Sequence, residues 1–151
     1  MIKDVIIKKI EKYSDERGYL SELFRMDDLK GYKPEMAYIS YTNSGVVRGP
    51  HEHKFQSDLF IFLGPGSFRL YLWDRRENSE TNGKSLEIEV GDLNPCLVLV
   101  PPGVVHGYKC ISETPAMSLN FPDKLYRGQG KVEEVDEIRW EEDENSPYKI
   151  N

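Results

Sequence analysis

The chain has 151 residues, enough for one well-packed domain and too few for two of ordinary size. Hydrophobic residues make up 38% and charged residues 30%, as in a soluble globular protein, and no apolar run reaches the roughly 20 residues that span a bilayer. The net charge of -6 argues against a nucleic-acid partner, because phosphate backbones are bound by clustered lysine and arginine, but one small anionic ligand needs only one or two arginines.

The first residues, MIKDVIIKKIEKYSDERG, are interrupted by lysines and lack the continuous apolar core of a secretory signal. We therefore expect a cytoplasmic protein with no membrane partner. Cys96 and Cys110 form no CxxC pattern, and two cysteines are too few for a disulfide framework, so we expect buried thiols.

Short segments rich in β-branched and aromatic residues recur along the chain between turn signals. The predicted strands are MAYISYT, SDLFIFLG, SFRLYLWD, KSLEIEV, CLVLVP and AMSLNF. Two of them, SFRLYLWD and KSLEIEV, alternate apolar and polar residues as half-buried strands do, which places Leu70 and Leu72 in the core together with Phe60 and Phe62. Regularly spaced strands with Gly, Pro, Asn and Ser turns predict an all-β sandwich or barrel.

Helical periodicity is weak, and only RMDDLKGY indicates a short helical turn ending at Gly31. We predict one domain over residues 1–151 with an acidic C-terminal extension from about residue 131. Acidic tails are usually solvated ends, although Ile138 and Trp140 could dock this one on the barrel.

Three histidines are all that the chain contains, and each lies beside a predicted strand or turn. His51 and His53, in GVVRGPHEH, are two residues apart, so in a strand they project from the same face. His106 follows the Pro-Pro-Gly turn in VPPGVVHGY. If that shared face lines a barrel, His51 and His53 point into a cavity.

The histidine motifs resemble the two motifs of the cupin superfamily, in which glycine, HxH and an acidic residue precede a PxG-and-His segment. The matching residues are Gly45, His51, His53, Asp58, Pro101, Gly103 and His106. This resemblance implies an all-β cupin fold, a double-stranded β-helix or jelly-roll barrel.

A narrower resemblance spans most of the chain. The blocks DERGYLSELFR, GVVRGPH, QSDLFIFLGPGSFRLYLWDRRENSETNG and VPPGVVHGYKCISET are similar, in this order, to the dTDP-4-dehydrorhamnose 3,5-epimerase family. The resemblance implies a homodimer that epimerises a nucleotide-linked 4-keto-6-deoxy sugar in deoxysugar and polysaccharide biosynthesis, without a cofactor.

Residue roles follow from that resemblance. A keto group acidifies the neighbouring C–H bonds, so a histidine can act as the base, and the resemblance implies that His51 does so. It also implies catalytic roles for Tyr126, as the acid, and for Asp74. The expected substrate-binding residues are Arg17, Tyr19, Glu22, Arg48, Gln56 and His106. Of these, the two arginines are expected to bind the diphosphate.

Two positions depart from the family pattern. Asp58 stands where the family has a lysine, and Leu119, or its neighbour Asn120, stands where the family has a tyrosine. The gained His53 and Asp58 complete, with His51 and His106, a set of three histidines and one carboxylate that suits a divalent transition metal. Two alternatives to the epimerase therefore stay open: a metal-dependent cupin isomerase or oxygenase, and a sugar-nucleotide binding protein without catalysis.

Simpler interpretations also stay open for individual residues. His53 and Asp58 form either metal ligands or an ion pair in the cavity wall. Arg17 and Arg48 are either phosphate ligands or partners in surface ion pairs, and Asp74 either takes part in catalysis or opens a turn.

Overall fold

Twelve β-strands carry the regular structure of residues 1–29 and 31–151, which are the residues that this computed structural model describes. The first six are β1 (Ile6–Lys9), β2 (Tyr13–Asp15), β3 (Gly18–Leu20), β4 (Tyr38–Thr42), β5 (Val47–Glu52) and β6 (Asp58–Phe62). The second six are β7 (Ser67–Asp74), β8 (Ser85–Gly91), β9 (Cys96–Val100), β10 (Val104–Cys110), β11 (Ala116–Asn120) and β12 (Ile138–Arg139). Two short 3₁₀ turns, Gln129–Lys131 and Trp140–Glu142, are the helical elements of these residues.

Two five-stranded antiparallel sheets form the barrel, and β2 and β3 form a separate hairpin. The first sheet has the order β1-β9-β6-β11-β4, and the second has the order β12-β5-β10-β7-β8. Strands distant in sequence lie side by side in both sheets, as in a jelly roll. This architecture confirms the predicted all-β cupin-like fold.

The core lies between the inner faces of the two sheets. On β7 every second residue is buried, and Phe68, Leu70 and Leu72 have no exposed surface. β6 is buried on both faces, since Phe60 and Phe62 point into the barrel whereas Leu59 and Ile61 contact a second apolar cluster beneath the N-terminal segment. Complete burial of an apolar side chain contributes about 1.5 to 3 kcal/mol, so these strands stabilise the barrel strongly.

All six predicted strands are confirmed, as β4, β6, β7, β8, β9 and β11. The helical turn predicted for RMDDLKGY is wrong: residues 26–28 form a turn that is not helical, and Lys30 lies outside the described residues. Cys96 and Cys110 are buried free thiols, as expected.

The acidic C-terminal segment packs on the barrel and is not a solvated end. β12 extends the second sheet by pairing Ile138 with Glu52 of β5. The Trp140 ring packs edge-on against Tyr148 at 5.1 Å, and the guanidinium of Arg75 lies 5.1 Å from the Trp140 ring centre. No helix of the described residues is long and apolar enough to cross a membrane.

Candidate active site

A cavity of about 1680 Å³ opens between the two sheets, at the end of the barrel where β4 and β5 lie. Residues 122–141 run along its mouth. Small-molecule sites usually measure roughly 300 to 1000 Å³, so this cavity has room for a ligand well above the size of one sugar ring. Its basic lining residues are Arg48, Lys124, Arg127, Lys131 and Arg139.

β5 brings His51 and His53 to the cavity wall. Both side chains line the cavity, as their two-residue spacing predicts, whereas Glu52 between them points to the opposite side. There the Glu52 carboxylate accepts a hydrogen bond of 2.5 Å from Arg75. The alternation of the strand therefore separates the two histidines from the buried Glu52 carboxylate, which pairs with a half-exposed arginine.

Gly49, in the RG dipeptide before His51, has a φ of 77° and lies against β10. A Cβ at this position would lie 2.8 Å from the backbone oxygen of His106 and 3.0 Å from Nδ1 of His51. Glycine is required here because any side chain would displace His51 or the neighbouring strand.

Asp58, on β6 of the opposite sheet, lies at the centre of the histidine cluster. Its Oδ2 atom is 3.1 Å from Nε2 of His53 and 3.2 Å from Nε2 of His106. The His51 and His106 rings pack edge to face with their centres 4.5 Å apart, and one donor atom from each of the four residues lies within 4.8 Å of the others. His106 lies inside β10, which begins directly after the Pro-Pro-Gly turn.

The hydrogen bonds behind the cluster fix the tautomers of two histidines. Nδ1 of His106 lies 3.0 Å from the backbone oxygen of Val104, and Nδ1 of His53 contacts the backbone oxygen of Asp136. A carbonyl accepts a hydrogen, so in the neutral state each Nε2 turns a lone pair toward Asp58. Among the described residues, neither Asp58 Oδ2 nor His106 Nε2 has a partner aligned for a hydrogen bond. This convergence requires a proton or a cation at its centre.

The electrostatic environment divides the histidines. Burial, reinforced by the charges of His106 and His53, holds the pKa of His51 well below its ordinary value, so this imidazole is neutral at neutral pH. Burial alone would lower the pKa of His53, but the contact with Asp58 outweighs it and raises that pKa to about 9. Burial would raise the pKa of Asp58, but the contacts with His106 and His53 hold it well below its ordinary value.

β11 presents Asn120, and not Leu119, to the cluster. The Asn120 amide donates a hydrogen bond of 2.9 Å to Asp58 Oδ1 and one of 2.8 Å to the hydroxyl of Tyr38. Leu119 points the other way, into the apolar cluster beneath the N-terminal segment. The leucine therefore does not occupy the place of a catalytic side chain.

Besides His51 and His53, three of the predicted site residues line the cavity: Arg48, Gln56 and Tyr126; His106 lies behind the lining. Arg48 is held against β4, since its Nε donates to Thr42 Oγ1 at 2.8 Å and its Nη2 to the Tyr41 carbonyl at 3.1 Å. The Gln56 amide donates to Asp58 Oδ1 at 3.0 Å.

The remaining predicted binding residues lie outside this cavity. Arg17 and Tyr19 belong to the exposed β2–β3 hairpin, where the Arg17 side chain is 84% exposed and bonded to Asp15. Glu22 follows the hairpin and pairs with Arg25.

Asp74 also lies away from the cavity, at the end of β7. Its buried carboxylate accepts hydrogen bonds from the backbone and guanidinium of Arg76 and from the hydroxyls of Ser79 and Thr81, both at 2.6 Å. The structure therefore does not bring this predicted catalytic residue to the histidines, and its contacts are those of a residue that closes a turn.

Sequence reasoning missed the acidic residues that cover the histidines. The Asp136 carboxylate accepts backbone hydrogen bonds from Lys54, Phe55 and Gln56 at 2.8 to 3.0 Å. Glu137 Oε1 lies 3.9 Å from His51 Nδ1. The charge density of this segment is that of a solvated tail, and only the apolar Ile138 and Trp140 signalled contact with the barrel.

Comparison with known proteins points to one family. The family profile described as dTDP-4-dehydrorhamnose 3,5-epimerase matches residues 1–145. A spore coat polysaccharide biosynthesis protein of Bacillus subtilis, SpsL, is 38% identical over 83% of this chain and 83% of its own length. A probable low-salt glycan biosynthesis epimerase of Haloferax volcanii, Agl13, is 35% identical over 88% of this chain and 86% of its own length.

Solved structures share the fold. A dTDP sugar isomerase of Desulfovibrio desulfuricans superposes with a TM-score of 0.84 at 24% sequence identity, over 98% of this chain and 91% of its own. The likeness extends through the barrel and the docked C-terminal segment.

Proposed function

The chain belongs to the dTDP-4-dehydrorhamnose 3,5-epimerase family, and we propose on that premise that it is an isomerase that inverts a carbon next to the keto group of a nucleotide-linked 4-keto-6-deoxy sugar. The observation that carries this proposal is a neutral, largely buried imidazole, His51, in the wall of a cavity of nucleotide-sugar size.

His51 acts as the base. Imidazole removes a proton only when it is neutral, and the burial of His51 keeps it so. Glu137 Oε1, 3.9 Å from Nδ1, stabilises the imidazolium that forms when His51 takes the proton. This arrangement supports proton abstraction beside a ketone, the chemistry that defines an epimerase of this type.

A positive charge near the developing enolate lowers the barrier. The lysine that the family resemblance led us to expect is replaced by Asp58, which reverses the charge at that position. The contact with Asp58 raises the pKa of His53 to about 9, so His53 returns a positive charge to this part of the cavity wall.

The diphosphate binds at Arg48 and at the other basic residues of the cavity mouth. Backbone and hydroxyl contacts hold the Arg48 guanidinium against β4, so less side-chain entropy is lost when it binds phosphate. Gln56, bonded to Asp58, contributes to the wall on which the sugar rests, and His106 lies behind that wall in contact with Asp58.

The protein acts as a homodimer in this proposal. Arg17, Tyr19 and Glu22 lie outside the cavity of their own chain, so a substrate-binding role for them requires the cavity of a second copy. Light scattering gives the mass in solution, and Arg17→Ala would weaken nucleotide binding only if the dimer forms.

The convergence of lone pairs on Asp58 favours a second candidate, a metal-dependent cupin enzyme. His53, Asp58 and His106, with His51, offer a donor set that fits a divalent transition metal, and the two backbone carbonyls behind the histidines are the supports that such ligands usually have. A bound cation would supply Lewis-acid polarisation of the keto oxygen. In that case His51 is a ligand and not the free base.

Elemental analysis separates the two candidates. Protein purified without chelator or nickel resin, and then incubated with Zn²⁺, should hold less than about 0.1 equivalent if His51 is the free base. Near one equivalent, lost in His53→Gln, would favour the metal-dependent enzyme. The matched control is Lys54→Gln, an exposed neighbour outside the donor set.

Two measurements test the epimerase itself. Addition of dTDP should raise the melting temperature, because a ligand that binds only the folded state stabilises it. Incubation with dTDP-4-dehydrorhamnose in D₂O should exchange the protons next to the ketone. Stabilisation by dTDP without any exchange would instead identify a sugar-nucleotide binding protein without catalysis.

A further inference from the structure

Inversion of a carbon requires two groups, since the proton removed from one face must be replaced from the other. With His51 as the base, the acid must approach the substrate from the opposite side of the cavity. His51 lies on β5 in the second sheet, so the opposite wall is formed by the first sheet, which ends in β4.

Three tyrosines of the described residues line the cavity: Tyr38, Tyr108 and Tyr126. Tyr108 lies on β10, in the same sheet as His51, and its buried hydroxyl is 3.1 Å from Ser118 Oγ. Tyr126 belongs to neither sheet and follows β11 in the segment at the cavity mouth. Tyr38 is the tyrosine that the first sheet presents.

Tyr38 and Asn120 are directly paired residues of β4 and β11. The Asn120 amide donates to the Tyr38 hydroxyl oxygen at 2.8 Å, so the hydroxyl accepts from behind and keeps its own hydrogen for another partner. Among residues 1–29 and 31–151 no acceptor takes that hydrogen, and the side chain is open to the cavity. Burial and the charge of Asp58 raise the pKa of Tyr38, which keeps the phenol protonated.

We propose that Tyr38 is the catalytic acid, supplying from β4 the phenol that the sequence of β11 lacks. The inference rests on the proposed epimerase function. Asn120, at the end of β11, is a positioning residue that orients the Tyr38 hydroxyl and binds the phenolate after proton transfer.

His51 takes the proton from the carbon next to the ketone, the C–H bond breaks, and its electron pair forms the enolate. The enolate carbon then takes the Tyr38 hydroxyl proton on the opposite face, which leaves a phenolate beside the Asn120 amide. Exchange with solvent returns a proton to Tyr38 and removes the one on His51.

Tyr38→Phe removes only the hydroxyl and separates the two proton transfers. In D₂O with dTDP-4-dehydrorhamnose, His51 would still abstract the proton and return deuterium on the same face. We expect proton NMR to show exchange within about tenfold of the unchanged protein, while formation of the inverted product falls at least 100-fold.

Tyr41→Phe is the matched control, since Tyr41 lies on the same strand but outside the cavity and is 58% exposed. It should change neither rate by more than about twofold. Tyr126→Phe tests the rival phenol, and the melting-temperature rise with dTDP verifies that each variant folds and binds.

The outcomes are distinct. Exchange in the unchanged protein with full inversion by Tyr38→Phe would overturn Tyr38 as the acid and leave the epimerase standing. Loss of inversion in Tyr126→Phe alone would assign the acid to Tyr126. No exchange by the unchanged protein would overturn the proposed function, and Tyr38 as its acid with it.

Discussion

Two buried carboxylates of this barrel have opposite surroundings. Asp74 receives hydrogen bonds from Arg76, Ser79 and Thr81, so both of its oxygens are satisfied. Asp58 is just as buried, yet its Oδ2 faces two histidine nitrogens without an aligned hydrogen bond. The sequence marked both residues as functional, but only the second lies in the histidine cluster beside the cavity.

The difference in hydrogen bonding gives the two buried carboxylates different roles. A fully bonded carboxylate fixes the local chain, because every competing arrangement would break several hydrogen bonds at once. A carboxylate with an unsatisfied oxygen retains capacity to bind a proton or a cation, and such sites are usually functional. We therefore propose a structural role for Asp74, and we expect substitutions near Asp58 to change activity and substitutions near Asp74 to change stability.

The largest expected effect concerns His51. His51→Asn should lower epimerisation of dTDP-4-dehydrorhamnose roughly 1000-fold or more, because the base is lost while the polar cavity wall is kept. Steady-state kinetics measures the rate of epimerisation, and urea unfolding measures the stability of the variant. A rate within tenfold of the unchanged protein would remove His51 from the role of base.

The next effect concerns the free energy of unfolding. Asp74→Asn should destabilise the fold by about 3 kcal/mol, because the Arg76 guanidinium loses its buried partner. Activity per folded molecule should stay unchanged. A loss of activity in the folded variant would instead indicate a catalytic role for Asp74.

The pH dependence of that variant has a definite sign. Burial would raise the pKa of Asp74, but the hydrogen bonds from Arg76, Ser79 and Thr81 hold it below its ordinary value. Its contribution to stability is therefore complete above the unfolded pKa of about 3.9 and is lost as the pH falls below it. In urea titrations, the difference in free energy of unfolding between the unchanged protein and Asp74→Asn should shrink at acid pH. A difference that does not depend on pH would contradict this account.

Two glycines sharpen the comparison further. Gly49, beside His51, and Gly83, in the turn beside Asp74, have φ values of 77° and 79°. An alanine is strained equally at both positions, but only at Gly49 would its Cβ meet other atoms within 4 Å. Gly49→Ala should therefore destabilise the fold by about 1 to 3 kcal/mol more than Gly83→Ala, measured by thermal unfolding. Equal losses of stability in the two variants would mean that β5 shifts enough to relieve the steric clash at Gly49.

The smallest expected effect concerns ligand binding. Arg48→Met should weaken dTDP binding about tenfold, or about 1.4 kcal/mol, because one guanidinium contact to phosphate is lost. Arg69→Met is the control, since Arg69 pairs with Glu87 and Glu89 outside the cavity. Calorimetry would contradict the assignment of Arg48 if both variants bound equally.

The strands that the sequence predicted are those with a clear apolar pattern, such as β6 and β7. Among the strands that the sequence missed, β1, β5 and β10 carry lysines, arginine or histidines, so local composition did not distinguish them from loops. β1 depends on pairing with β9, β10 on pairing with β7 and β5 on pairing with β10, and each of these partners lies far away in the sequence.

The candidate site was predictable in part. The spacing of His51 and His53 placed them on one face, and the structure has them there. Glu137 was missed because charge density describes a solvated segment as well as a docked one. Tyr38 was missed because no motif of the sequence connects β4 to β11, whereas the register pairs it with Asn120.

By itself the sequence determined the barrel class, the family and the shared face of two histidines, because periodicity and ordered motifs are local properties of the chain. Only the tertiary structure decided which carboxylate lies in the histidine cluster and which tyrosine the first sheet presents to the cavity. Those properties depend on partners that sheet order and register bring together from distant positions, 48 residues apart for Asp58 and His106 and 82 residues apart for Tyr38 and Asn120.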